Sequence, residues 1–363
     1  MSAAAKPFLI SGRPEFTIDG QPSVQLGTDC FRLEAIEDEN GLANLEAVFL
    51  NLDHPKPGKP VDFLYFNRDI IDFGRKIEVA FNDGSAPKVV FTGIVTALGC
   101  EYPEAREPEL MVHAEDRLAE LRMRRRTRVF ENRSDSEILA DVASDAGLAP
   151  DMRMTGPSHT QHLQVNQSDL DLLRERAEAT DGLMTLRDKD FRVVDRSRVS
   201  DQPVRMSNYN ELIRFSVLAD LAHQRTTVRV HGWDVANAQA IHEEAGADTA
   251  RAAAEQSGRV GPEVLGDIWP EAAEDLHLEM PATADEARGL AQACMARRSR
   301  RFVRGRGTAL GNPALRVGSR VELVDLGAFF SGVYRLTAVR HRFDMNDGYR
   351  TLFEAERAAL STQ

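Results

Sequence analysis

Apolar and polar residues alternate with a period of two through much of the first third of the chain. Cys30 to Ile36 and Ala43 to Leu50 are apolar-rich runs separated by Asp38-Glu39-Asn40-Gly41. The Asn-Gly step favours the positive backbone angles of a tight hairpin, which predicts a strand pair. His54 to Pro60 holds three prolines, a glycine and two lysines, a composition that predicts a loop because proline donates no ladder hydrogen bond. Lys76 to Phe81, Val89 to Leu98 and Leu110 to Ala114 continue the alternation, with Asn82-Asp83-Gly84 as a turn. An antiparallel β domain closed on itself is the expectation.

The middle third changes period. Ser134-Asp135-Ser136-Glu137 reads as a capping box followed by Ile138, Leu139, Val142, Ala143 and Ala146 on one helical face, with Gly147 as the stop. A second helix is predicted from Ser168, burying Leu170, Leu173 and Ala177 and ending at Gly182, and Phe191 to Val194 reads as a strand. Strand character returns at Leu212 to Ser216 and Thr226 to Val230, whereas Ala236 to Ser257 fits either helix or loop. Thr283-x-x-Glu286 caps a further helix presenting Ala287, Leu290, Ala291, Cys294 and Met295. Ser319 to Val324, Ser331 to Arg342 and Tyr349 to Glu354 close the chain as strands, with Asn346-Asp347-Gly348 turning the last hairpin.

The two β regions share a pattern. Phe73-Gly74-Arg75-Lys76-Ile77-Glu78-Val79 and Val317-Gly318-Ser319-Arg320-Val321-Glu322-Leu323 both read apolar-Gly-x-basic-apolar-Glu-apolar. After a turn, Phe91-Thr92-Gly93-Ile94-Val95 aligns with Phe330-Ser331-Gly332-Val333-Tyr334. A duplicated β domain is expected, and three chains around an axis would then present six similar units.

Composition narrows the class. The chain has 363 residues, long enough for more than one core, with 42% hydrophobic and 28% charged residues, as in soluble folded proteins. A net charge of -12 argues against a surface given over to nucleic acid. Cys30, Cys100 and Cys294 form no CxxC pair, and Met1 to Ile10 carries no signal-length apolar run. Cytoplasmic synthesis and assembly are expected.

Several segments together resemble the late control protein D family of phage tails and the amino-terminal part of VgrG spike proteins. They are Ala114 to Leu118 with the arginine-rich Leu121 to Phe130, Asn166 to Ala177, Ala219 to Gln224, Val230 to Asp234, Phe330 to Tyr334 and Val339 to Phe343. The resemblance spans about residues 30 to 355 and implies the trimeric baseplate hub of a contractile tail or injection system. Its partners would be further copies of itself, a trimeric spike supplied as a separate polypeptide, the sixfold inner tube, other baseplate proteins, and tape-measure protein or cargo in the lumen. No cofactor, metal or membrane insertion is implied.

The expected fold is β-rich α+β. A first tube-like β-barrel would occupy residues 1–120, an α/β insert 121–205, and a second barrel 206–363 with a helical or loop insertion at about 235–310. Interface candidates are Arg122, Arg124, Arg125, Arg126 and Arg128 in one basic run and Arg300, Arg301 and Arg304 in another. Such guanidinium groups suit carboxylates of a neighbouring subunit and equally suit intrachain ion pairs. His159-x-x-His162 lacks a third ligand and reads as loop or strand edge; Gly305-x-Gly307-x-x-x-Gly311 reads as a flexible connector; Trp233 reads as core. No motif frames a nucleophile with its base. The enzyme alternative is a tail-associated cell-wall hydrolase using Glu101, Glu104, Glu107 or Glu109, which also read as a solvated acidic turn.

Overall fold

The alternation of the first third does form strands. A computed structural model describes residues 12–39, 41–52, 63–82, 84, 86–104, 106–199, 202–276 and 280–361. The expected loop His54 to Pro60 and parts of the Asn40 and Asp83 turns lie outside them. The first unit comprises β1 (Glu15–Ile18), β2 (Gln21–Ser23), the short α1 (Val24–Asp29), β3 (Cys30–Asp38), β4 (Asn44–Leu50), β5 (Lys76–Asn82), β6 (Pro87–Glu101) and β7 (Glu109–Glu115). Side chains facing one way along these strands, among them Leu33, Phe49, Ile77, Val79, Phe81 and Val112, are fully buried in one core.

The insert follows as α2 (Leu118–Arg122), β8 (Arg125–Ser134), α3 (Asp135–Asp145), β9 (Ala149–Arg153), β10 (Ser158–Ser168), α4 (Asp169–Ala179), β11 (Gly182–Arg187) and β12 (Asp190–Asp195). The capping box is present at α3, where Ser134 and Glu137 exchange hydrogen bonds, and Gly147 stops the helix at φ +70°. Such a cap contributes about 1 kcal/mol. Ile138, Leu139, Val142, Leu170, Leu173, Phe191 and Val193 form a separate core.

The remaining chain gives β13 (Val204–Ser207), β14 (Leu212–Ala219), β15 (Thr227–Asp234), β16 (Gln239–Ala245), α5 (Ala247–Ala252), β17 (Arg259–Val260), α6 (Gly261–Gly266), β18 (Ala273–Leu276) and α7 (Ala284–Arg300). After them come β19 (Val303–Leu310), β20 (Arg320–Val324), α8 (Gly327–Phe330), β21 (Gly332–Asp344), β22 (Gly348–Arg357) and β23 (Ala359–Leu360). The segment 236–257, undecided from its pattern, is β16 and α5. The capping box of α7 forms as expected, and the helix buries Ala287, Ala291, Cys294 and Met295 against β15 and β16.

Two sequence expectations are corrected here. Gly305 and Gly307 belong to β19 and not to a connector: the Phe215 and Phe353 rings lie over them, so that a Cβ would meet each ring at 2.2 Å. Glycine is used here for close approach within a strand. Trp233, expected in the core, is 47% exposed near the end of β15.

The duplication is visible in strand order. The first unit runs β3-β4-β7-β6-β5-β1 across the sheet, and the second runs β14-β19-β22-β21-β20-β13. Chain order maps one onto the other strand for strand, with one difference: β1 pairs β5 antiparallel while β13 pairs β20 in parallel. Gly74 and Gly318 sit at φ +78° and +82°. The Gly74 N–H donates to the Val95 carbonyl at 2.9 Å and the Val95 N–H returns to Arg75 at 3.0 Å; Gly318, Leu336 and Ser319 repeat this at 2.8 and 2.9 Å.

That correspondence corrects the second half of the sequence alignment by two residues. Val95-Thr96-Ala97-Leu98 matches Leu336-Thr337-Ala338-Val339, and in both the register shifts around the threonine. Phe91 therefore corresponds to Gly332, and Phe330 lies in α8 ahead of the strand. A second shared irregularity falls between Cys30 and Arg32 in β3 and between Leu212 and Arg214 in β14. The fold is thus β-rich α+β with two similar antiparallel β-barrel units and a small α/β insert.

Candidate assembly surfaces

The two units are welded edge to edge. The carboxyl half of β21 pairs antiparallel with β3, from Ala338 opposite Asp38 to Asp344 opposite Arg32. Alternation places Val339, His341 and Phe343 toward the cores with Leu33, Ala35 and Glu37, and all six are buried. Glu37 is held by Arg187 and by Arg316, whose Nε donates to it at 2.8 Å. Burial by itself would raise that carboxyl, but the two guanidinium groups outweigh it and hold it below the usual range. Burial pushes His341 down to about 3, and its Nδ1 lies 2.8 Å from the Tyr349 hydroxyl. Tyr349 stacks on Phe81 of the first unit at 3.7 Å between centroids.

Buried and half-buried ion pairs tie the insert to both units and brace the second unit internally. Arg300 binds Asp181 and, at 3.2 Å, Glu356, while Arg196 reaches Glu39 at 2.5 Å. Arg335 and Arg320 converge on Glu255 at 2.8 and 2.9 Å. His159 spans Asp135 at 2.9 Å and Glu286 at 2.6 Å, coupling α3 to the first turn of α7. The bond to Asp135 is the largest influence raising His159, to about 9, with Glu286 next. His159 and His162 lie on β10, which fits the strand-edge reading; among the described residues no group of three His, Cys, Asp or Glu is placed to hold a metal ion.

The first arginine run spans the end of α2, at Arg122, and the start of β8, at Arg125, Arg126 and Arg128. Arg122 makes a fork to Glu115 at 3.1 and 2.9 Å, Arg125 donates to the Asn166 carbonyl at 2.7 Å, and Arg126 meets Asp169 at 3.0 Å. Arg128 reaches Gln164, Asp145 and Asp169 at 2.7, 2.8 and 3.0 Å. Arg124 is exposed, as are Arg301 and Arg304. Arg300 differs from its expected place: it is 4% exposed and committed inside the chain. Its partners, Asp181 and Glu356, are remote in sequence, so no local pattern announced them.

The non-core face of the welded sheet carries a groove lined by Arg214, Ser216, Arg306, Thr308, Arg340 and Glu354. Arg306 pairs with Glu354 at 3.0 Å and Arg340 with Glu34 at 3.2 Å. Of the acidic set of the hydrolase alternative, Glu101 and Glu109 oppose each other at the ends of β6 and β7, Glu109 is 7% exposed and bonded to Arg106, and Glu104 and Glu107 lie in the connection. No helix among the described residues is long and apolar enough to cross a membrane.

Compared with solved structures, this is the fold of phage tail proteins. The 43 kDa tail protein of prophage MuSo2 from Shewanella oneidensis is 13% identical with a TM-score of 0.66, covering 95% of this chain and 98% of that one. A tail protein from Neisseria meningitidis MC58 gives 13% and 0.67, covering 95% and 96%. The Escherichia coli c3393 protein, described as a component of the type VI secretion system, gives 13% and 0.57, covering 95% and 77%. No curated protein matches. A family model described as the Alg8 N-terminal domain matches residues 58–344, and the chain belongs to that family.

Proposed function

We propose that this chain is a non-catalytic hub subunit of a contractile phage tail or related injection system, assembling as a homotrimer between a sixfold inner tube and a trimeric spike. The duplicated six-stranded unit carries the reading: two units with the same strand order stand side by side in one sheet, so three chains supply six like platforms to a sixfold neighbour. The proposed division is a first tube-like domain over 1–120, the insert over 121–205 and the second tube-like domain over 206–363 with its insertion near 235–310. The non-core face of the sheet would line a lumen, where Arg214, Arg306 and Arg340 alternate with Glu34 and Glu354. Arg124, Arg301 and Arg304, exposed in the single chain, remain the arginines proposed for contacts between subunits.

The reading is also supported by the fold shared with tail proteins and with a type VI secretion component. Multi-angle light scattering of the purified protein, alone and with its spike and tube proteins, tests it. A molar mass three times that of the 40.3 kDa chain is expected, either alone or on adding spike. A monomer under every condition, or peptidoglycan hydrolysis lost with Glu101→Gln, would overturn it.

A further inference from the structure

The weld between the units has a counterpart that the single chain leaves unmade. In the second unit, the carboxyl half of β21 covers β3 of the first unit. By the strand correspondence, the matching half of β6 is residues 97–101, and the strand matching β3 is β14. Among the described residues, β14 pairs only with β19, and residues 97–101 of β6 pair only with β7. One chain therefore ends in two complementary open edges, both copies of edges that are joined internally.

We infer that residues 97–102 of one protomer pair antiparallel with residues 215–220 of β14 in the next, in the register of the β21–β3 weld. This rests on the ring reading above and names the joint that closes the ring. Ala338 opposite Asp38 becomes Ala97 opposite Asp220; Val339 opposite Glu37 becomes Leu98 opposite Ala219; His341 opposite Ala35 becomes Cys100 opposite Val217; Phe343 opposite Leu33 becomes Tyr102 opposite Phe215. The shared register shifts at Thr96 and Thr337, and at positions 31 and 213, keep this correspondence in phase on both edges.

Burial supports the same pairing. Val339, His341 and Phe343 are 1%, 1% and 4% exposed where the weld covers them, whereas Tyr102 is 64% exposed and Leu98 and Cys100 are only half-buried. Across the joint, Leu33 and Ala35 are buried while their counterparts Phe215 and Val217 are half-buried and Leu218 is 63% exposed. A long apolar open edge recruits another chain. Because the two edges differ, the contact is head-to-tail and repeats until it closes. Glu101 would face Ser216 with Arg214 on its diagonal, a complementary charge within reach of a long side chain.

Directly opposed residues of an antiparallel pair have Cα atoms about 4.5–5.5 Å apart, inside the range a disulfide spans. Val217→Cys in the full chain therefore gives native Cys100 a partner on the next protomer. Under mild oxidation, non-reducing electrophoresis is expected to show linked dimers and trimers, with peptide mapping identifying Cys100 joined to position 217. Adding Cys100→Ser should abolish them, and Tyr209→Cys, placed at an exposed site away from the joint, should not link to Cys100. Independently of any variant, maleimide labelling of Cys100 should be at least tenfold slower in the assembled ring than in monomer. A trimer by light scattering without either the link or the protection would overturn this joint and leave the ring standing. A monomer in every condition would overturn both.

Discussion

Arg316 and Glu37 form an ion pair across the weld, Nε to Oε2 at 2.8 Å, that fastens a residue before β20 of the second unit to β3 of the first. With Arg187 on the other oxygen, the carboxylate is enclosed between two cations. Glu37→Ala leaves both guanidinium groups half-buried without their counter-ion. It should cost roughly 3 kcal/mol, read as a lower urea midpoint. The same change in the exposed Glu46, paired with Arg32 at 3.5 Å with both side chains about half exposed, should cost under about 0.5 kcal/mol.

The weld should be acid-sensitive. His341 is held neutral down to about 3, whereas an unfolded histidine protonates near 6.5. Between those values the unfolded chain binds more protons, so stability falls as pH drops from 6.5 toward 3. Glu37, depressed in the fold, contributes stability that is present above its ordinary value of about 4.3 and lost as pH falls through the folded one. His341→Gln should flatten the upper part of that slope in urea melts at stepped pH.

His159 has the opposite sign. Raised to about 9 by Asp135 and Glu286, it contributes stability that is complete below about 6.5 and disappears as pH rises through 9. His159→Gln should remove this alkaline loss while lowering stability at neutral pH by about 1–3 kcal/mol, since the buried Asp135 would keep only Arg176, at 3.4 Å, as a cationic partner.

The repeat glycines should respond unequally to alanine. At Gly74 a Cβ meets open space, so only the left-handed backbone is penalised, by about 1–2 kcal/mol. At Gly318 a Cβ would also meet Leu183 at 2.3 Å, adding roughly 1–3 kcal/mol of overpacking. Gly307→Ala, aimed at the Phe353 ring at 2.2 Å, should be comparably harmful and partly rescued by Phe353→Leu. Chemical denaturation of the four variants decides each case.

Much of this was readable in the chain because local physics wrote it there. Both long capping boxes, at Ser134 and Thr283, and the hairpin around Gly41 depend on residues within four positions of each other. The first half of the repeat was visible because Gly74 and Gly318 serve the same turn. Its second half was misaligned because the Phe-(Ser/Thr)-Gly similarity is incidental: Gly93 sits where Glu115 closes in, and Gly332 where Gln256 does. The strand β8 was hidden because Arg126 and Arg128 are neutralised by Asp145 and Asp169 across gaps of up to 43 residues, as between Arg126 and Asp169. Arg300 was misplaced for the same reason, its partners being distant. The open edges carry no sequence signal at all; they are defined by which strands lack a neighbour.

The β21–β3 pairing also sets a schedule for the growing chain. During synthesis β3 is complete long before the residues that cover its outer edge exist, and β21 follows some 300 positions later. Contacts of such separation form late and slowly, and an uncovered strand is a template for mispairing in the interval. Glu34, Glu37 and Asp38, interspersed along that waiting edge, are the kind of charges that discourage premature partners; Arg340 of β21 meets Glu34, and Arg316 meets Glu37, when the second unit arrives.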